Sequence, residues 1–298
     1  PGGRFWGPNS KSVSEDDESM SAKENSMSQR EQWNFDGNPD ELYERYLVPA
    51  KFGPWAADLV ALGAPQAGER VLDVACGTGV VTRLVGPHVG AKGKVIGLDL
   101  NAGRLEVARS LSSSSGITIE WREGDVSALP FPDANFDLVI CQQGLQFFPD
   151  RLVALREMSR VLVSGGRLAL NVWRSIEHQP GALAMATALQ RHVSAEAAAF
   201  RHTPFALGGS EDIEAPMREV GFRDVEIRPT VKTVRFPSAE AFTMRYISGV
   251  APLARMVSEV DDNARTALLK DVSAALQSYV DADGLAIPTA SHLVTAHT

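Results

Sequence analysis

"VLDVACGTGVVTRLV", Val71 to Val85, joins two patterns. Val71 to Ala75 is an apolar run of strand length with one carboxylate, Asp73, inside it. From Val80 onward the apolar residues recur at helical spacing. Between the two, Cys76, Gly77, Thr78 and Gly79 remove nearly all side-chain bulk. Glycines at such a turn let the backbone approach a ligand closely. The helix that follows starts with unpaired N–H groups. Asp73 is costly in an apolar strand unless it is hydrogen-bonded. The next strand, within "VIGLDLN", ends on Asp99. A carboxylate at that strand end can accept from two ribose hydroxyls. Corner and carboxylate together point to an adenosine-containing ligand.

Strand and helix patterns alternate outward from this corner. Strands are expected at Lys94–Leu98, Ile117–Trp121, Phe136–Cys141 and 165–173, and helices at Val80–Val85, Ala102–Leu111 and 150–162. This rhythm predicts an α/β fold, a Rossmann-like doubly wound and mostly parallel sheet with helices on both faces. Residues 1–30 are poor in apolar side chains and read as a disordered tail. Residues 31–65 read as an N-terminal helical lid, capped by Asn38 and broken at Pro49 and Pro54. The sheet domain spans 66–237, with a helical insertion at about 176–205, and 238–298 reads as a C-terminal helical segment. Its helices either cover the acceptor pocket or form a dimer face.

The chain has 298 residues and a net charge of −8. That balance speaks against nucleic acid and against an anionic membrane, both of which need clustered Lys and Arg. No run of eighteen apolar residues suggests a membrane span, and no secretory leader opens the chain. Cys76 and Cys141 lie in or beside apolar runs and read as small buried hydrophobes rather than a disulfide or metal pair. A cytoplasmic protein is expected, with no metal site.

A dinucleotide fingerprint would continue the glycine pair with a third small residue, but Thr82 stands there. Two more elements sharpen the reading. Gly124 and Asp125 follow the third strand, where a carboxylate can accept from an adenine amino group. Gln142 and Gln143 leave the carboxyl end of the fourth strand. The stretches "VLDVACGTGVVT", "VIGLDLNAGRLEVAR", "GDVSALPFPDANFDLVICQQGLQFFPD" and "ALREMSRVLVSGGRLAL" stand in order over about residues 70–173. In these the chain resembles the class I S-adenosylmethionine-dependent methyltransferases, in the group of the ubiquinone and menaquinone biosynthesis C-methyltransferases. One departure is Ser164, where that family usually has proline.

The resemblance implies a sheet of about seven strands with an antiparallel edge strand, which 224–236 can supply. It implies S-adenosylmethionine as cofactor, with S-adenosylhomocysteine as product. It assigns Asp73, Ala75, Gly77 and Gly79 to the methionine end, Asp99 to the ribose with Leu100 against the adenine, and Asp125 to the adenine with Val126 beside it. Cys76, Thr78, Arg104, Gly124 and Gln142 complete the cofactor set.

Methyl transfer from a sulfonium is a direct displacement, so the protein supplies orientation and a dry cleft. No catalytic residue declares itself. His178, His192 and His202 read as surface or capping histidines of the insertion. Tyr43 and Tyr46 share a helix face and, with Gln146 and Phe147, are the acceptor-side candidates. Their aromatic rings can equally be core. The expected partner is a small-molecule methyl acceptor, O, N or C, neutral and partly hydrophobic. The oligomeric state stays open, a homodimer included. Two other readings remain: a non-catalytic adenosine-ligand-binding protein, and an NAD-dependent oxidoreductase.

Overall fold

The computed structural model describes residues 33, 35, 37–112 and 119–298. The N-terminal tail and most of the Ser112–Ser115 run lie outside the described residues. Asn38 opens the helical region, its side chain accepting from the Asp40 N–H at 3.0 Å, with Pro39 in the first turn. Helix α1 (Pro39–Leu42) passes into a π-helical segment, Tyr43–Phe52, and then into α2 (Gly53–Gly63). The expected break at Pro49 is therefore replaced by continuous helix. Proline clashes with the carbonyl one turn back in an α-helix; a wider π turn moves that carbonyl away. Pro54 sits in the first turn of α2, where proline is tolerated.

The alternating part follows as β1 (Arg70–Val74), α3 (Val80–Val89), β2 (Lys94–Asp99), α4 (Ala102–Ser112), β3 (Ile119–Glu123), β4 (Phe136–Gln142), α5 (Arg151–Val161) and β5 (Leu162–Trp173). Then come α6 (Pro180–His192), α7 (Ala195–His202), α8 (Glu211–Val220), β6 (Arg223–Phe236), α9 (Ala239–Ser248), α10 (Ala251–Ser258), α11 (Asp262–Ala275), β7 (Val280–Asp281) and β8 (Gly284–His297). The sheet has eight strands in the order β3-β2-β1-β4-β5-β8-β6, with β7 paired to β8. β1 through β5 are parallel, and β8 runs antiparallel between β5 and β6. Chain order reverses between β1 and β4, the place where such sheets bind ligands.

The expectation that 238–298 is helical fails after Ala275. β8 is the inserted antiparallel strand, and β6 is the edge beyond it. The physical reason is burial: Thr289 through Val294 are all covered, so the middle of this strand lacks the alternation that marks a half-exposed one. Pro288 also argues against a strand on sequence grounds. The sheet therefore extends well beyond residue 237.

Alternation on β1 divides the core. Val71 packs with Val81, Val85 and Leu59, on the α2–α3 side. Leu72 and Val74 pack with Leu155, Met158 and Met217, on the α5–α8 side. A further cluster joins the π-helical segment to α6, α7 and α9–α11 through Leu47, Met185, Phe236, Phe242, Ile247 and Leu268. The late helices thus cap this cluster, which answers what residues 239–275 cover within the chain.

Candidate active site

Asp73 points to the α3 side, where Thr82 donates its hydroxyl hydrogen to Oδ2 at 2.5 Å. Burial pushes the Asp73 carboxyl up to about 7, against the opposing effect of Thr82. Thr82 is therefore more than a missing third glycine. Its hydroxyl serves the buried acid.

The turn after β1 is built from left-handed backbone at Ala75, Gly77 and Gly79, with φ of 56°, 56° and 84°. Its amide groups are largely used within the fold. The Cys76 N–H donates to Leu98 O at 3.0 Å, and the Gly79 N–H to Cys76 O at 2.9 Å. The Gly77 N–H donates to Asp99 Oδ2 at 2.7 Å, while the Asn101 N–H donates to Oδ1 at 2.8 Å. Asp99 thus ties the end of β2 to the glycine corner. Each of its oxygens retains a further lone-pair direction.

The two glycines serve different neighbours. A Cβ on Gly79 would stand 2.2 Å from the Trp121 ring, and one on Gly97 would stand 2.5 Å from it. Trp121 and Gly97 are register partners on β3 and β2, and the indole leans across Gly97 onto the corner. The bulk removed at Gly79 accommodates the Trp121 ring. Over Gly77 the nearest group is the Arg104 guanidinium, 3.7 Å from the Cβ position. Cys76 is a core residue, with Sγ 3.0 Å from the Gly97 Cβ position, and its thiol is pushed well up by burial. Cys76 and Cys141 are both free and buried.

The N-terminal helical region closes over this corner. Arg104 Nε lies 3.3 Å from Asp40, and its guanidinium is 4.6 Å from the Tyr43 ring centre. Arg83 bonds Glu44 at 2.6 Å and reaches the Thr78 carbonyl at 2.5 Å. Burial raises the Tyr43 phenol above its usual range, partly offset by Arg104. On the far side Leu100 is 69 % exposed and Asp125 is exposed, while Val126 is buried. Asp125 Oδ1 accepts from the Ser127 N–H at 2.8 Å, and this holds its carboxyl below the usual range. Gly124 joins the two carboxylates, its N–H donating to Asp99 O at 3.1 Å.

The end of β4 carries a second strained position, Gln143, with φ of 54°. Gln142 donates to the Phe52 carbonyl at 2.8 Å, linking β4 to the π-helical segment. Gln146 donates to Gln143 at 3.2 Å, and Gln143 to the Ser291 hydroxyl at 3.2 Å. Gln146 Oε1, Asn171 Nδ2 and Thr78 Oγ1 are buried without partners. Of the acceptor-side candidates, Tyr43 and Gln146 lie at these junctions. Phe147 is 54 % exposed. Tyr46 meets Arg45 and Arg245 at 5.3 and 4.9 Å. His192 bonds Asp271 at 2.9 Å, and His178 approaches Arg174 and Ser175. Sequence reasoning missed Trp121, whose signal is the glycine pair 79 and 97 facing an aromatic strand residue. It also missed Arg83, Asn171 and Ser291.

Residues 72–170 match the family model of the methyltransferase domain. This part of the chain is similar to methyltransferase domains. The 2-phytyl-1,4-naphtoquinone methyltransferase of Synechococcus elongatus is 41 % identical over 118 residues, which are 39 % of this chain and 51 % of that protein. The ubiquinone/menaquinone biosynthesis C-methyltransferase of Hahella chejuensis is 43 % identical over 116 residues, 38 % of this chain and 47 % of that one. The chain thus spans about half the length of the curated relatives it matches. The likeness of fold extends further. A Bacillus halodurans structure overlays 81 % of this chain and 97 % of its own, with a TM-score of 0.56 at 24 % identity. A Haemonchus contortus phosphoethanolamine N-methyltransferase solved with S-adenosyl-L-methionine overlays 82 % of this chain and 52 % of its own, with a TM-score of 0.52 at 18 % identity.

Proposed function

We propose that this protein transfers a methyl group from S-adenosylmethionine to a small-molecule acceptor. The observation that carries the reading is Asp99, fixed at the end of β2 by the Gly77 and Asn101 amides within a methyltransferase domain. The residues at the corner fit the cofactor. Asp99 can accept from the ribose hydroxyls. Exposed Leu100 and buried Val126 suit the two faces of the adenine, and Asp125 suits its amino group. Thr78 Oγ1 is a buried hydroxyl without a partner, and Arg104 stands over Gly77. Thr78, Gly77 and Arg104 would hold the methionine end, with Asp73 supporting the turn from beneath.

The bound cofactor supplies an activated methyl on sulfur. The chain's own part is to orient the acceptor for in-line displacement and to exclude water. Tyr43, Phe52 and Gln142 lie where the helical lid meets the end of β4, and we place the acceptor there. A quinone-type ring, the class named for the curated relatives, is compatible with those aromatic side chains. The runner-up, a non-catalytic adenosine-ligand binder, keeps the same corner. Incubation with methyl-labelled S-adenosylmethionine and a panel of quinols, phenols and carboxylates separates the two. Label in any acceptor supports the transferase; tight cofactor binding with no labelled product from a broad panel favours the binder. Among the described residues no helix is long and apolar enough to cross a membrane. We propose a reducing compartment such as the cytoplasm, in keeping with the two free thiols.

A further inference from the structure

Lys51 and Arg201 are buried cations, 5 % and 2 % exposed. They line one small cavity of about 10 Å³ together with Gln179, Thr289, Phe236 and Phe242. Among the described residues neither forms an ion pair with a carboxylate, and Arg201 Nε and Nη1 have no partner at all. Aromatic faces are their main company. Arg201 stands 4.4 Å from the Tyr246 ring centre and 5.0 Å from that of Phe205. Lys51 Nζ stands 4.3 Å from the Trp173 ring centre and 5.5 Å from that of Tyr246. Ring faces offset only part of the desolvation of a cation. Arginine does not shed its proton in response. Lysine does, and burial, with the Arg201 charge beside it, lowers the Lys51 ammonium well below its ordinary range. A buried guanidinium without a counter-charge, beside a lysine that regains its proton when an anion enters, in a protein of net charge −8, describes a receptor for an anion.

A row of packed rings links the two cations to the cofactor corner. Arg104 covers Gly77 and stacks on Tyr43. Tyr43 lies 4.9 Å from Phe52, and Phe52 6.2 Å from Trp173, measured between ring centres. Trp173, at the end of β5, then meets Lys51. An aromatic row thus leads from the corner to the two cations.

We propose that Lys51 and Arg201 form the oxyanion subsite of the methyl acceptor. The acceptor then has an apolar body lying along Phe52 and Trp173 and carries a carboxylate that reaches the two cations. The cavity volume, about that needed by one water, suits an oxygen of that group. This revises the expectation of an uncharged acceptor, and it rests on the methyltransferase reading.

The test uses the full chain loaded with S-adenosylhomocysteine, titrated by calorimetry with benzoate, with its neutral isostere benzamide, and with inorganic phosphate. Benzoate is expected to bind at least about tenfold more tightly than benzamide, the loss typical of an unmet buried charge. Lys51→Met and Arg201→Met should each abolish that preference, while Arg201→Lys retains part of it. S-adenosylhomocysteine affinity should stay within about twofold in all three, as expected for a separate site. Equal binding of benzoate and benzamide, or an undiminished preference in both methionine variants, overturns the proposal. So does binding of phosphate without benzoate, which marks a free-anion site. Failure of the wild-type chain to bind S-adenosylhomocysteine overturns the methyltransferase reading instead. If a methionine variant does not fold, Arg201→Lys and the wild-type benzoate-to-benzamide ratio still decide.

Discussion

The glycine corner and the cationic cavity both bury ionisable groups, and they treat them in opposite ways. At the corner every carboxylate has local donors: Thr82 for Asp73, two backbone amides for Asp99, and the Ser127 amide for Asp125. In the cavity Lys51 and Arg201 have ring faces and each other. The corner thus meets its carboxylates from within the fold, leaving Asp73 Oδ1 and Thr78 Oγ1 without partners. The cavity is electrostatically incomplete and depends on what enters it. Substitutions of the corner glycines and of Asp99 should damage the fold or its cofactor affinity, whereas neutralising the cavity should not.

The largest expected effect concerns Asp73. Its carboxyl ionises near pH 7 in the fold and near pH 4 when unfolded. Between those values the native state holds a proton that the unfolded state lacks, so this group's contribution falls as pH rises, by up to roughly 4 kcal/mol above pH 7. Asp73→Asn removes that dependence. Denaturant unfolding of both proteins from pH 4 to 8 should give a variant that gains on the wild type across the window. Parallel curves would show that Asp73 is ionised throughout.

Gly79→Ala comes next. A Cβ 2.2 Å from the Trp121 ring, on backbone with φ of 84°, should cost about 3 kcal/mol from overpacking and strain together. Trp121→Leu in the same chain should recover part of it, measured by the same unfolding midpoints. If the single variant is as stable as wild type, the glycine is not there for Trp121.

On the cavity side, Arg201→Met should leave stability unchanged or raise it by about 1–3 kcal/mol, because an uncompensated buried charge is replaced by an apolar group of similar length. A loss of more than about 2 kcal/mol would mean that Arg201 is a structural strut and would erase the contrast between the regions. The smallest effect belongs to Arg104→Ala. Its contact with Asp40 is partly exposed, so it should cost less than about 1 kcal/mol, yet speed amide exchange across residues 39–52 if it holds the helical lid. Unchanged exchange would assign the lid to its apolar contacts alone.

The same contrast explains what the sequence could reveal. Asp73, the glycines, Thr82, Asp99 and Asp125 fall within about fifty positions, and each sits beside a strand end, so spacing alone assembles them. Even there, chemistry was read without its neighbours: Thr82 stood out as an absent glycine, and its bond to Asp73 was not legible. Lys51 and Arg201 are about 150 positions apart, and each looks like an ordinary charge on a helix. Only the packing of α7 and the π-helical segment on one cluster brings them together. β8 is hidden for a related reason: its middle, Thr289 to Val294, is buried on both faces and loses the alternation by which strands are recognised, and Pro288 points away from one.

The central claim is that the corner seats S-adenosylmethionine, with Asp99 on the ribose. Its most direct test is calorimetric titration of the wild-type chain and Asp99→Asn with S-adenosylhomocysteine, with NADH as control. The account predicts that S-adenosylhomocysteine binds, that NADH does not, and that the substitution weakens binding by about 1.5–3 kcal/mol, the scale of hydrogen bonds to a charged group. Binding of NADH alone, of neither ligand, or of S-adenosylhomocysteine with equal affinity in a folded Asp99→Asn would contradict it.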